Sequence, residues 1–207
     1  ENRDSNLLID GEKGNTIEFW MKKTAFATSK TGTEVIFDAH TPNSTFTDEK
    51  YGRLTVEMTG AISTSPFLLT YMSGTSGASR VPLGLSSITT SSVADDKWHH
   101  YAISIKNNGS TDLKITTYVD GAHAETLNTG SIVGYVSGTV NANIGALITP
   151  PSGTTAAGLG YGKLSASMDE FRYWKSERDA QQIGRYYRDQ IGGGTNTDNI
   201  KYDDVTN

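Results

Sequence analysis

Apolar residues in this chain recur at every second position rather than every third or fourth. The clearest case is NTIEFWMKK, residues 15–23. Ile17, Phe19 and Met21 fall on one side of an extended chain, and Glu18, Trp20 and Lys22 on the other, because successive side chains of a strand point to opposite faces. Similar runs predict strands at SNLLID (5–10), TEVIFDAH (33–40), GRLTVEMTG (52–60), PFLLTYMS (66–73) and VPLGLSS (81–87). Further runs lie at WHHYAISIK (98–106), DLKITTYVDG (112–121), AHAETL (122–127), ANIGALI (142–148) and GKLSASMDEFRYW (162–174). Gly, Pro, Asn or Ser flank these runs, as turns require. NNGST at 107–111 reads as a hairpin loop, and Asp120–Gly121 as a two-residue type I′ turn. About a dozen strands without βα alternation predict an all-β fold of two packed antiparallel sheets, a jelly-roll sandwich.

The period changes only near the end. Asp179 followed by Gln182 is a capping-box pattern: the Asp accepts a free N–H of the first turn, and the Gln reaches back. Ile183, Tyr186 and Tyr187 form one apolar stripe at i, i+3 and i+4. This predicts one short C-terminal helix, ended by Gly192–Gly194. A helix so short needs a docking surface, and an open end of the sandwich is the expected one. The polar, Gly-rich tail at 192–207 reads as a linker or the start of a next unit, after a domain at 1–191. The first residue is Glu1, and the chain is expected to be a piece of a longer protein.

Composition narrows the function classes. The 207 residues suffice for a substantial core, and a net charge of −5 with no basic patch argues against a nucleic-acid partner. With no cysteine there is no disulfide, zinc–thiolate site or cysteine nucleophile. No apolar run reaches membrane-spanning length.

Candidate chemistry is sparse. Asp169 and Glu170 are adjacent on a predicted strand, so alternation sends them to opposite faces, away from one shared cleft. Asp169 is expected to accept backbone N–H groups or face a cation, and Glu170 to pair with Arg172. His99 and His100 likewise diverge, one packed and one exposed, without the spacing of a chelating pair. No G-x-S-x-G, phosphate loop or dinucleotide fingerprint occurs. Trp20, Trp98 and Trp174 are expected in the core.

Several stretches, in order, resemble the laminin-G-like, concanavalin-A-like jelly-roll family. They are NTIEFWMKK, DDKWHHYAISI, TTYVDGAHAET, NIGAL and GKLSASMDEFRYWKSERDAQQIGRYY. The resemblance covers most of residues 1 to 191, and is weak between about 40 and 90 and at 149–161. A narrower likeness, carried by DEFRYWKSERDAQQIGRYY running into GGGTNTD, is to such modules within structural proteins of tailed marine bacteriophages. The E-x-D-x-E run of glucanases on a related sandwich is absent. The resemblance implies a non-catalytic binding or structural module of a larger virion or extracellular protein. Its partner would be a glycan, a cell-surface polysaccharide or a neighbouring subunit, with no membrane insertion. An accessory carbohydrate-binding domain of a secreted enzyme is the alternative. Tyr51, Tyr71, Tyr135 and Tyr161, in or near loops, are the candidate ligand contacts. The family often binds Ca²⁺, for which Asp38, Asn43, Asp48 and Asp169 are the best oxygen donors.

Overall fold

The computed structural model describes residues 7–26, 33–42, 50–85, 87–147 and 162–189. The strands are β1 (Asn15–Lys22), β2 (Glu34–His40), β3 (Gly52–Met58), β4 (Phe67–Ser73) and β5 (Ser76–Leu83). After a one-turn helix α1 (Thr90–Val93) come β6 (Trp98–Asn108), β7 (Asp112–Val119), β8 (Ala122–Thr129), β9 (Asn141–Ile144) and β10 (Ser167–Trp174), then α2 (Ala180–Tyr186). They form two five-stranded sheets, ordered β10-β1-β6-β7-β8 and β5-β4-β3-β2-β9. All pairings are antiparallel. The two-sheet sandwich predicted from the alternation is therefore present. In the 5–10 run, Leu7–Ile9 is not strand, and Asp10 makes only an isolated bridge to Tyr135.

The alternation of β1 is what fills the core. Ile17, Phe19 and Met21 are fully buried against Phe37, Leu54, Val56, Phe67 and Leu69 of the second sheet. Phe19 lies 5.7 Å from Tyr101, and Phe67 5.0 Å from the same ring. At the β7–β8 corner Asp120 and Gly121 have φ of 51° and 77°, the two positive values of the predicted I′ turn. A bulge interrupts β10: Glu18 faces Arg172 while Trp20 faces Asp169, and Glu170 takes a φ of 47°. The bulge corrects the expectation for this acidic pair. Asp169 sits opposite Trp20 and Glu170 reaches Arg172 at 3.3 Å, so both serve the outer face. Asp169 accepts the Glu170 N–H at 2.8 Å, and the Glu170–Arg172 pair forms as expected.

The helix is also capped as read, with Asp179 accepting from the Gln182 N–H and Gln182 from the Asp179 N–H. It ends at Tyr186, before the glycines, which lie outside the described residues. It does not close an end of the sandwich. Ile183 packs with Ala102 and Tyr118 on the outer face of the first sheet. The tryptophans go there too, not into the core. Trp20 stacks on Tyr187 at 6.0 Å, Trp174 lies under the Arg178 guanidinium at 4.0 Å, and Trp98 is 45% exposed.

Beneath this cover lies a buried charge cluster. Glu18, His100 and Arg178 are each 1% exposed and Arg172 is 7% exposed. Glu18 Oε1 lies 3.0 Å from Arg178 Nε, and its Oε2 lies 3.4 Å from His100 Nε2 and 3.6 Å from Arg172 Nη1. The Arg178 N–H donates to Thr16 Oγ1, and Ser104 Oγ donates to the Arg178 carbonyl. Arg172 also donates to the carbonyls of Tyr186 and Asp189, and Trp20 Nε1 to that of Tyr187. These satisfy carbonyls that the end of a helix leaves without partners. Arg178→Ala leaves the Glu18 carboxylate buried with only Arg172 and His100 beside it and is expected to cost ~3–5 kcal/mol in urea unfolding. Asp179→Ala, which removes only the cap, is expected to cost about 1 kcal/mol.

Candidate functional site

Chemistry-bearing side chains gather at the two ends of the sandwich. At one end, DDKWHHY leads into β6. Asp95 and His99 are four residues apart and meet at 3.3 Å through His99 Nε2. The I′ turn brings Asp120 to the other ring nitrogen, 2.7 Å from Nδ1. Asp120 also accepts the His100 N–H at 2.9 Å. Burial alone would lower the His99 pKa, but the hydrogen bonds to Asp120 and Asp95 raise it above the ordinary histidine value. The imidazolium thus ties the β7–β8 turn to the segment before β6. Beside it lies a cleft of about 300 Å³, lined by Ile88, Ser92, His99, Tyr101, Asp120 and Ala124 among others. The wall at Ser92 is set by α1, whose capping box Thr89–Ser92 was not read from the sequence. The signal was a T-x-x-S spacing, a weak one. The expected split of the histidines holds, with His100 packed and His99 near the surface.

At the other end, the loop 131–136 is held by bonds on both sides. Asn107 accepts the Val133 N–H and donates to its carbonyl, Ser73 Oγ accepts the Gly134 N–H, and Ile9 O accepts the Val136 N–H. Val133 and Val136 are buried at 1%. The intervening Tyr135 is 63% exposed and Ile132 37%.

The candidate tyrosines separate on burial. Tyr135 is at the surface. Tyr51 and Tyr71 are not, being 4% and 0% exposed. Tyr71 points inward on β4 and its hydroxyl donates to Asn15 Oδ1 at 2.8 Å, so neither presents a ring to a ligand. Tyr161 lies outside the described residues.

The candidate calcium donors do not converge among the described residues. Asp38 is on β2, fully buried on the outer face of the second sheet, not in a loop. Both its oxygens are taken: Arg53 Nε at 3.0 Å, Arg53 Nη2 at 2.9 Å and the Thr55 hydroxyl at 2.6 Å. Asp169 is opposite Trp20 on the outer face of the first sheet, on the other side of the sandwich. Asn43 and Asp48 lie outside the described residues. No cluster of three His, Asp or Glu side chains with metal-binding geometry occurs among the described residues. Asp38 and Asp169 therefore do not fit a shared calcium site.

The His99 bridge yields a pH dependence with a definite sign. Because its folded pKa is raised, its stabilisation is complete below the ordinary histidine value of about 6.5 and disappears as pH rises through the folded value. Thermal unfolding of His99→Gln against the parent protein checks this. The Tm difference is expected to be largest near about pH 6 and to shrink by about pH 9.

Comparison with known proteins agrees with this geometry. No curated protein matches the chain in sequence. Among solved structures, domains LG4-5 of the mouse laminin alpha1 chain align with a TM-score of 0.52 at 15% identity, over 86% of this chain and 41% of that one. The present chain thus spans less than half the length of that structure. The binding domain of botulinum neurotoxin serotype D aligns at TM-score 0.48 and 12% identity, over 91% of this chain and 39% of that one. A Bacillus licheniformis β-glucanase aligns at 0.40 and 15%, over 84% and 69%. A laminin-G family model, described as the concanavalin A-like lectin/glucanases superfamily, matches residues 3–184. With two five-stranded antiparallel sheets and that match over most of its length, the chain belongs to the concanavalin A-like lectin/glucanases superfamily as a laminin-G-like domain.

Proposed function

We propose that this domain is a non-catalytic binding module of a virion or other extracellular protein, and that it contacts a glycan through Tyr135. The observation that carries this reading is an exposed aromatic ring on a loop whose backbone is fixed on both sides. A tyrosine so held offers a flat, amphipathic surface, and little loop entropy remains to be lost on binding. Ile132 of the same loop is also exposed. Membership of a family that includes many binding modules supports the reading, though a shared fold does not fix a function.

The state of the carboxylates supports the non-catalytic part. Glu18, Glu34, Asp38 and Glu57 are buried and ion-paired with Arg178, Lys23, Arg53 and Arg80. Asp10 accepts the N–H groups of its own turn, and Glu125 that of Gly84. Glycoside cleavage uses two carboxyls flanking one bond, whereas every buried carboxylate among the described residues is engaged by a structural partner. Glu170, nearer the surface, is held by Arg172.

A glycan array probed with the protein, once with calcium and once with chelator, tests the reading. A defined class of sugar is expected to bind, and Tyr135→Ala is expected to weaken binding at least about tenfold, while an exposed site keeps its stability change within about 0.5 kcal/mol. Undiminished binding by Tyr135→Ala overturns the assignment of Tyr135. Turnover of β-glucans or alginates that is lost with one Asp or Glu substitution overturns the non-catalytic reading.

A further inference from the structure

The tip of the β6–β7 hairpin carries a reactive dipeptide. Of the asparagines in the chain, only Asn108 is followed by glycine. β6 ends at Asn108 and β7 begins at Asp112, so residues 109–111 make the turn. Asn108, Gly109 and Ser110 are all exposed. Gly109 has a φ of 66°, and no atom lies within 4 Å of the place a Cβ would take. Its N–H donates to no described residue. The Asn108 side chain is held by one exposed hydrogen bond, from its Nδ2 to Asn128 Oδ1 at 3.2 Å. A bond of that kind costs little to break in water.

These conditions suit attack by the backbone on its own side chain. The Gly109 nitrogen and Asn108 Cγ close a five-membered ring, and glycine puts no side chain in the way. Holding nucleophile and electrophile in one short stretch of chain takes the place of a catalyst. Neighbouring asparagines lack one condition or another. Asn15 is buried, with both ends of its amide engaged. Asn128 precedes Thr129, whose branched side chain crowds the following nitrogen. Asn107 is clamped. Its Oδ1 accepts the Val133 N–H at 2.9 Å, and its Nδ2 donates to the Val133 carbonyl at 3.0 Å and to Glu12 Oε1 at 2.9 Å.

We propose that Asn108 is a self-modification site whose conversion loosens the 131–136 loop. The Gly109 nitrogen, losing its proton, bonds to Asn108 Cγ. The bond from Cγ to the side-chain nitrogen breaks, ammonia leaves and a succinimide remains. Water then opens the ring. Addition at Cγ leaves aspartate. Addition at the Asn108 backbone carbonyl leaves isoaspartate, with the chain now running to Gly109 through Cβ and Cγ. The net exchange is amide and water for acid and ammonia, with no oxidant or reductant. Both products place a carboxylate opposite Asp112. Only isoaspartate adds a methylene to the backbone, and the pairs Asn107–Leu113 and Asn108–Asp112 cannot both keep their register along a longer chain. Asn107 is the residue that grips Val133, so a slip there releases the loop that carries Tyr135. The inference holds whether or not Tyr135 contacts a ligand.

Ageing of the folded protein tests it. Trypsin cuts after Lys106 and Lys114 and releases residues 107–114, in which tandem mass spectrometry locates the changed residue. Asn108 is expected to convert at least about tenfold faster than any other asparagine of the chain. The nucleophile is the deprotonated amide, so conversion is expected to be faster at about pH 8 than at about pH 6. Asn108→Gln, which would need a larger ring, is expected to stay unconverted. In the aged protein the Val133 amide is expected to exchange hydrogen at least about tenfold faster. Asn108→Asp, which carries the charge on a normal backbone, is expected to exchange as slowly as the fresh protein. An intact Asn108 in the folded protein, while a free peptide of residues 107–114 converts, overturns the site. So does equal conversion at another asparagine. Val133 exchange that is unchanged by ageing, or raised equally by Asn108→Asp, overturns the link to the loop.

Discussion

A carboxylate at the centre of β1 governs how this domain is closed. Glu18 is on the outer face of the first sheet, where water would ordinarily solvate it, yet it is 1% exposed. A charge removed from water is tolerated only when it is paired, and one unpaired partner costs more than the whole pair contributes. Arg178, Arg172 and His100 surround Glu18. Because two of these come from β10 and from the approach to α2, the pairing fixes the C-terminal segment against the N-terminal strand. The helix, with only seven residues, would not persist alone. It persists because Ile183 and Tyr187 cover that cluster, while Arg172 and Trp20 take up its last carbonyls.

This closure has a functional consequence. The outer face of the first sheet is occupied by the helix and by two of the three tryptophans. On the second sheet, Asp38, Arg53, Thr55 and Glu57 also alternate outward and are buried, the first three bonded to one another and Glu57 paired with Arg80. Side chains committed in this way cannot exchange partners for a ligand without exposing a charge to a low-polarity interior. Accessible side chains on backbone held by hydrogen bonds are found instead at the strand ends, where the proposed contact at Tyr135 lies. The Tyr135 loop and the His99–Asp120 cleft are both built so, one around buried valines and one around a doubly bonded imidazolium.

The site was less legible than the fold. Tyr135 and Tyr71 both stand in or near loops of the sequence, yet Tyr135 is exposed and Tyr71 lies in the core. Sequence marks a residue near a turn and does not say which face its strand presents. The HH pair was read as two diverging imidazoles, and the partners of His99 were missed, because Asp120 reaches it only through the fold of a hairpin. Tyr101 carried no signal at all, being one more apolar position of an alternating strand.

The alternation of β1, β3, β4 and β6, the I′ turn at Asp120–Gly121 and the Asp179–Gln182 cap were all determined locally, and the sequence alone was sufficient for them. Each depends on residues within a few positions of one another, so steric and hydrogen-bonding rules act without knowledge of the rest. Tertiary structure decided where the helix docks, why three tryptophans lie outside the core, and which acids are committed. Those outcomes depend on contacts between separate segments of the chain, from 11 positions apart for Lys23 and Glu34 to more than a hundred for Glu18 and Arg178. Burial of a charge is set by what the whole chain places above it, and no local pattern encodes that.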